Sequence, residues 1–167
     1  MRQFSLKLAC AGLVGSWVLV GCGGGSASTE VSVAVCELPP AYANGSTSGN
    51  RIAPTAQTED RLFTPCAIER IQTLTVGVCI AHPEMSELTT QLVFPNGTPQ
   101  NLNLQSTGET CPSLIGGQPF QATLSSNQLP SLQQLTGNWS VKVTDNNQAT
   151  TFIGTLVGWS MRAEGLK

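Results

Sequence analysis

GNWSVKVTDNNQATTFIGTLVGWSMRA, residues 137–163, is the stretch whose reading decides the fold. Trp139, Val141 and Val143 alternate with Ser140, Lys142 and Thr144, the period-2 pattern of a half-buried strand. Val157, Trp159, Met161 and Ala163 repeat the pattern on the far side of a polar segment. The two runs predict a strand, an oxygen-rich turn over Asp145–Thr151 and a second strand, arranged as a hairpin. Trp139 and Trp159 fall on the apolar faces. That placement favours core packing over an exposed platform for stacking sugars.

The same period recurs upstream. Val31, Val33 and Val35 alternate with Ser32, Ala34 and Cys36, and Pro39-Pro40 is expected to end that strand. Residues 43–58 are mostly Asn, Gly, Ser, Thr and Pro and read as a long surface loop. Leu74, Val76, Val78 and Ile80 give the strongest strand pattern. Leu88–Phe94 and Leu102–Leu104 predict a hairpin around Pro95-Asn96-Gly97-Thr98, where proline sets φ and glycine accepts positive φ. Phe120, Ala122 and Leu124 mark a further strand, while Leu129, Leu132 and Leu135, three apart, leave helix and strand both open. Seven to nine short strands without a long amphipathic helix predict an all-β fold, a jelly-roll or galactose-binding-like β-sandwich.

The first residues have a different logic. Arg2 and Lys7 precede an uncharged, mostly apolar run, Leu8–Val20, followed by small residues. This is the layout of a secretory signal peptide; a membrane-spanning helix needs about 20 apolar residues, more than this run supplies. Leu19-Val20-Gly21-Cys22 resembles the lipobox of bacterial lipoproteins. The resemblance implies cleavage before Cys22, lipidation of that cysteine and stable anchoring by several acyl chains. Gly23 in place of an aspartate after the cysteine implies the outer membrane of a bacterial envelope. The expected organisation is a lipoprotein signal at 1–21, a lipidated tether at 22–29, an N-terminal strand and disulfide-bonded extension at 30–67, and the β-sandwich at 68–167.

Cleavage also resets charge and cysteine number. Of eight basic residues, removal of Arg2 and Lys7 leaves six against ten acidic ones, a net charge of −4. The six are scattered, so no basic stripe is present to follow a nucleic-acid backbone. Of six cysteines, Cys10 leaves with the signal and Cys22 carries lipid. Cys36, Cys66, Cys79 and Cys111 remain, an even number in an exported chain, where disulfides are the default. Four cysteines allow three pairings; proximity in sequence favours Cys36–Cys66 and Cys79–Cys111. A zinc site on these cysteines is disfavoured by the lack of a C-x-x-C pair.

Two further segments carry a family resemblance. Val76-Gly77-Val78-Cys79-Ile80-Ala81-His82, Glu87-Leu88 and Leu92–Thr98 form the first. Gly137–Asp145, Gly154-Thr155-Leu156 and Trp159-Ser160-Met161 form the second. In order and spacing they resemble the P domain (P/Homo B domain) of proprotein convertases, over roughly 68–162. Glu87 stands where the family usually has aspartate, and Thr151 and Phe152 occupy the region of a second acid. The resemblance implies a jelly-roll sandwich with no catalytic residues of its own, which in convertases packs on the protease. With only a leader, tether and short extension before it, a stand-alone module is expected here.

The oxygen-rich turn offers Asp145 and Asn147, with Asn146, Thr150 and Thr151 nearby and Glu87 as a remote candidate, as ligands for calcium, which the resemblance implies in loops of this kind; the alternative for Asp145 is an Asx turn that caps its own loop. His82, the one histidine, is weighed as a general base or metal ligand and read as a strand-end structural residue, since no nucleophile elbow such as G-x-S-x-G is present. The expected role is an envelope binding or assembly module for an envelope or secreted protein. A carbohydrate-binding module is the alternative, prompted by a surface low in charge, with 11% charged residues.

Overall fold

A computed structural model describes residues 32–42, 50–52, 57–64, 66–112, 116–129, 135–147 and 154–167. The signal, the tether with Cys22, residues 43–49, Leu132 and the segment with Thr150, Thr151 and Phe152 lie outside the described residues. No helix among the described residues is long and apolar enough to cross a membrane.

The strands are β1 (Val33–Tyr42), β2 (Asn50–Ile52), β3 (Gln57–Phe63), β4 (Arg70–Ala81), β5 (Leu88–Val93), β6 (Pro99–Asn101), β7 (Gln105–Ser106), β8 (Gln118–Ser125), β9 (Gly137–Asp145) and β10 (Gly154–Leu166). One sheet runs β1-β10-β4-β8-β7, with β2 also paired to β10; the other runs β3-β9-β5-β6. All pairings are antiparallel. The protein is an all-β sandwich.

The inward faces follow from the period-2 pattern. Leu74, Val76, Val78 and Ile80 of β4 meet Leu92 of β5 and Trp139, Val141 and Val143 of β9 in one core. Trp139 anchors it: the ring packs edge-on against Phe94 at 5.4 Å, and the indole N–H donates to the Leu135 carbonyl at 2.7 Å. Trp159 is also buried, but its indole nitrogen has no hydrogen-bond partner among the described residues. The turn after β5 forms as its sequence predicts. Gly97 takes φ 82°, its N–H donates to the Phe94 carbonyl, and Thr98 N–H caps on the Asn96 side chain.

Several expectations are corrected. The stretch 137–163 is not a hairpin: β9 pairs with β3 and β5, whereas β10 pairs with β1, β2 and β4 in the opposite sheet. Alternation tells which face of a strand is buried, but not which strand lies beside it. The chain between β9 and β10 therefore crosses the sandwich. In β10 a register shift between Leu156 and Gly158 breaks the alternation, as a bulge does. Val157 consequently packs with Cys79 and Cys111 in a second small cluster, apart from the core that takes Leu156, Trp159 and Met161.

The prolines do not end β1. Pro39 and Pro40 lie on an edge strand, where a missing N–H costs no ladder bond, and the register shifts between Leu38 and Ala41. Ala34 and Cys36 face inward, so Val33 and Val35 are exposed, at 64% and 49%. The 43–58 loop is interrupted by β2, whose Ile52 is fully buried, and by the start of β3. The partner of β5 is Pro99–Asn101, with Leu102 just beyond it. β1, β2 and β3 pair within the two sheets, so the sandwich begins at Val33 and residue 68 is no boundary.

Two kinds of clamp brace the sandwich, and of these Cys36–Cys66 and Arg61 hold its N-terminal part. The disulfides are Cys36–Cys66 and Cys79–Cys111, with Cα–Cα distances of 6.2 and 6.0 Å and sequence separations of 30 and 32. Loops of that size stabilise by about 3.5–4 kcal/mol each in the chain-entropy account. Arg61 ties β3 to the other sheet. Its guanidinium donates to the carbonyls of Pro39 and Trp159, both at 2.7 Å, and lies over the Trp159 ring at 5.5 Å. Burial pulls this guanidinium below its ordinary pKa, and Glu59, two residues away on the strand, offsets part of the shift.

Replacing Arg61 with methionine keeps the stem and loses both charged hydrogen bonds, which Nη1 donates. Urea unfolding is expected to show a loss of about 1–3 kcal/mol with an unchanged m-value.

Candidate metal centre

The crossover places three chain segments together at one end of the sandwich. His82 follows β4 directly, and β4 is aligned there with the start of β10, since Ala81 pairs with Thr155. Glu87 closes a single 3-10 turn, Met85–Glu87, that leads into β5. Asp145 ends β9 opposite Leu88. The ligand atoms of His82, Glu87 and Asp145 all lie within 4.8 Å of one another.

The side chains of His82 and Asp145 are buried to a degree unusual for titratable groups, while Glu87 is half-buried. The His82 side chain is 0% exposed and that of Asp145 2%. His82 Nε2 stands 3.4 Å from Asp145 Oδ2 but makes no hydrogen bond with adequate geometry. On its other side, Nδ1 lies 3.0 Å from the Glu84 carbonyl oxygen and 3.1 Å from the Glu84 nitrogen. The ring is confined by Gly154, where a β-carbon would collide with it and approach the Ala81 carbonyl at 3.1 Å. Close packing against imidazole is thus the physical reason for glycine in Gly154-Thr155-Leu156.

The carboxylates are held by the residues after Asp145. Asn147 N–H donates to Asp145 Oδ1 at 2.9 Å, which closes the Asx turn weighed from the sequence. Asn147 Nδ2 donates to Glu87 Oε1 at 2.6 Å. Asn146 N–H and its side-chain amide both donate to the Glu87 carbonyl, at 2.9 and 2.8 Å, and the amide also reaches Thr89 Oγ1 at 2.9 Å. Asp145 Oδ2 is left facing His82. Of the ligands named from the sequence, Glu87 and Asp145 come together, while Asn147 orients both of them through its N–H groups. His82 is the member that sequence reasoning set aside as structural. Its distance in sequence from Asp145 hides the contact, and its place in the His82…Glu87-Leu88 motif is the signal that points to it.

Trp139 and Trp159, named as core, are both buried and offer no surface for stacking a sugar. Cys36, Cys66, Cys79 and Cys111 are occupied in the two disulfides.

The proprotein convertase P-domain model matches residues 71–163. The chain belongs to the proprotein convertase P-domain family. The matched segment of the P domain contains His82, Glu87 and Asp145 and stops short of β1, β2 and β3. No curated protein matches the chain in sequence. Among solved structures, the serine protease of Aeromonas sobria is 22% identical, with a TM-score of 0.47, covering 79% of this chain and 27% of its own. The same protease in complex with its chaperone gives 20% identity and a TM-score of 0.47, covering 80% and 27%. The catalytic unit of a GH87 alpha-1,3-glucanase from Streptomyces thermodiastaticus gives 14% and 0.35, covering 83% and 25%. The chain spans about a quarter of each of these.

Gly154→Ala should displace the His82 ring and destabilise the P domain by about 1–3 kcal/mol. Thermal denaturation checks this: Gly154 does not take a positive φ, so the loss comes from the clash and should shrink in a His82→Ala background, where the ring is gone.

Proposed function

We propose that this P domain is a non-catalytic module, anchored by lipid at Cys22 to the bacterial outer membrane, that docks on another envelope or secreted protein. The observation that carries the reading is the family match over residues 71–163. The site geometry is not that of a nucleophilic hydrolase. Nucleophilic catalysis needs the histidine beside a hydroxyl or thiol, whereas Nε2 of His82 faces the Asp145 carboxylate. The extension that carries β1–β3 belongs to the sandwich and brings an edge strand to each sheet.

Calcium, which the family resemblance implies, is the finer reading of the metal centre. It requires six to eight oxygens at about 2.3–2.6 Å. His82, Glu87 and Asp145 offer an imidazole and two carboxylates, and Asn147 already engages one oxygen of each carboxylate. Among the described residues, this donor set fits calcium poorly.

Cross-linking of the full chain in intact cells, followed by mass spectrometry, tests the docking role. One reproducible protein partner is expected, and Cys22→Ala should abolish palmitate labelling and release the chain from the membrane fraction. Specific glycan-array binding without a protein partner would instead establish a carbohydrate-binding module.

A further inference from the structure

We propose that His82, Glu87 and Asp145 bind a divalent transition-metal ion of the zinc class, with water completing its coordination. The inference is independent of whether the P domain docks on another protein.

Distance is the first argument. Hydrogen bonds from N–H to oxygen are about 2.7–3.2 Å long. Nε2 and Oδ2 stand 3.4 Å apart and fail to form one, although both side chains are almost completely buried. Two ligands of a tetrahedral ion, each about 2.0–2.1 Å from the metal, stand about 3.3–3.4 Å apart. The separation is long for a hydrogen bond and matches one edge of that tetrahedron; the Glu87 carboxylate, within 4.8 Å, closes in to supply the third ligand.

The second argument is the protonation pattern. With its proton on Nδ1, His82 donates to the Glu84 carbonyl at 3.0 Å. Metal-binding histidines commonly use such a bond to fix the ring, and it leaves the Nε2 lone pair as the ligand. That lone pair is then enclosed with two carboxylates, all within 4.8 Å. The imidazole lone pair and the Asp145 carboxylate face each other out of water, with the half-buried Glu87 carboxylate beside them, and a cation between them offsets their repulsion. The other tautomer puts a proton on Nε2 and accepts from Glu84 N–H at 3.1 Å, but it leaves a buried donor without a proper bond.

The third argument is the supporting shell. Asn147 holds one oxygen of each carboxylate, and Asp145 Oδ2 is left facing His82. Bonds of this kind set ligand orientation around a metal. One nitrogen and two carboxylate ligands, the donor set among the described residues, suit zinc and its neighbours.

The test uses the full chain without a polyhistidine tag, stripped with a chelator and with free thiols alkylated. Calorimetric titration with Zn²⁺ is expected to show one equivalent bound, not displaced by a large excess of Ca²⁺, and Co²⁺ should give the visible bands of a four-coordinate site. Glu87→Gln keeps the side chain's shape and should weaken Zn²⁺ binding about tenfold or more, while His82→Gln should abolish the one-equivalent site. Absence of a one-equivalent site, displacement by equimolar Ca²⁺, or unchanged affinity in folded Glu87→Gln would each overturn the proposal.

Discussion

A buried carboxylate sets the terms for this sandwich. Asp145 is 3% exposed at the end of β9, and burying an ionised carboxylate is costly without partners. Its partners come from both sheets. Oδ1 takes the Asn147 N–H within its own loop, while Oδ2 faces His82 at the end of β4. Glu87, at the entry to β5, is tied to the same loop through Asn146 and Asn147. Where the chain leaves one sheet for the other, polar groups thus meet under the edge of an apolar core.

The path of the chain makes that meeting possible. Were β9 and β10 a hairpin, they would lie side by side in one sheet. The chain instead crosses over, so the two tryptophan-bearing strands belong to opposite sheets. Arg61 and the Cys36–Cys66 disulfide tie β1 and β3 onto the same frame, which gives the P-domain fold an N-terminal extension integral to its sheets.

Much of this was legible in the sequence because period-2 alternation reports burial directly. The faces of β4, β5 and β9 follow from Leu74 to Ile80, from Leu92 and from Trp139 to Val143, and the P-domain motifs are visible in the same strands. Neighbour relations were not legible, because alternation in β9 and β10 is satisfied equally by a hairpin and by a crossover. Valines misled in β1, an edge strand whose small residues Ala34 and Cys36 face the core. The bulge in β10 moved Val157 out of phase with Trp159. At the site, Asp145 and Glu87 stood out as acids near an oxygen-rich loop. His82 did not, because only tertiary packing against Gly154 brings its ring to them.

The central claim is that the end of the sandwich is a metal centre built from both sheets. Anomalous diffraction at the zinc absorption edge, on crystals of the chain grown with equimolar zinc, tests it most directly. The account predicts a single strong peak between His82 Nε2, Asp145 Oδ2 and the Glu87 carboxylate, about 2.0–2.2 Å from each. A well-ordered site without a peak, with His82 and Asp145 joined by a short hydrogen bond, would contradict it.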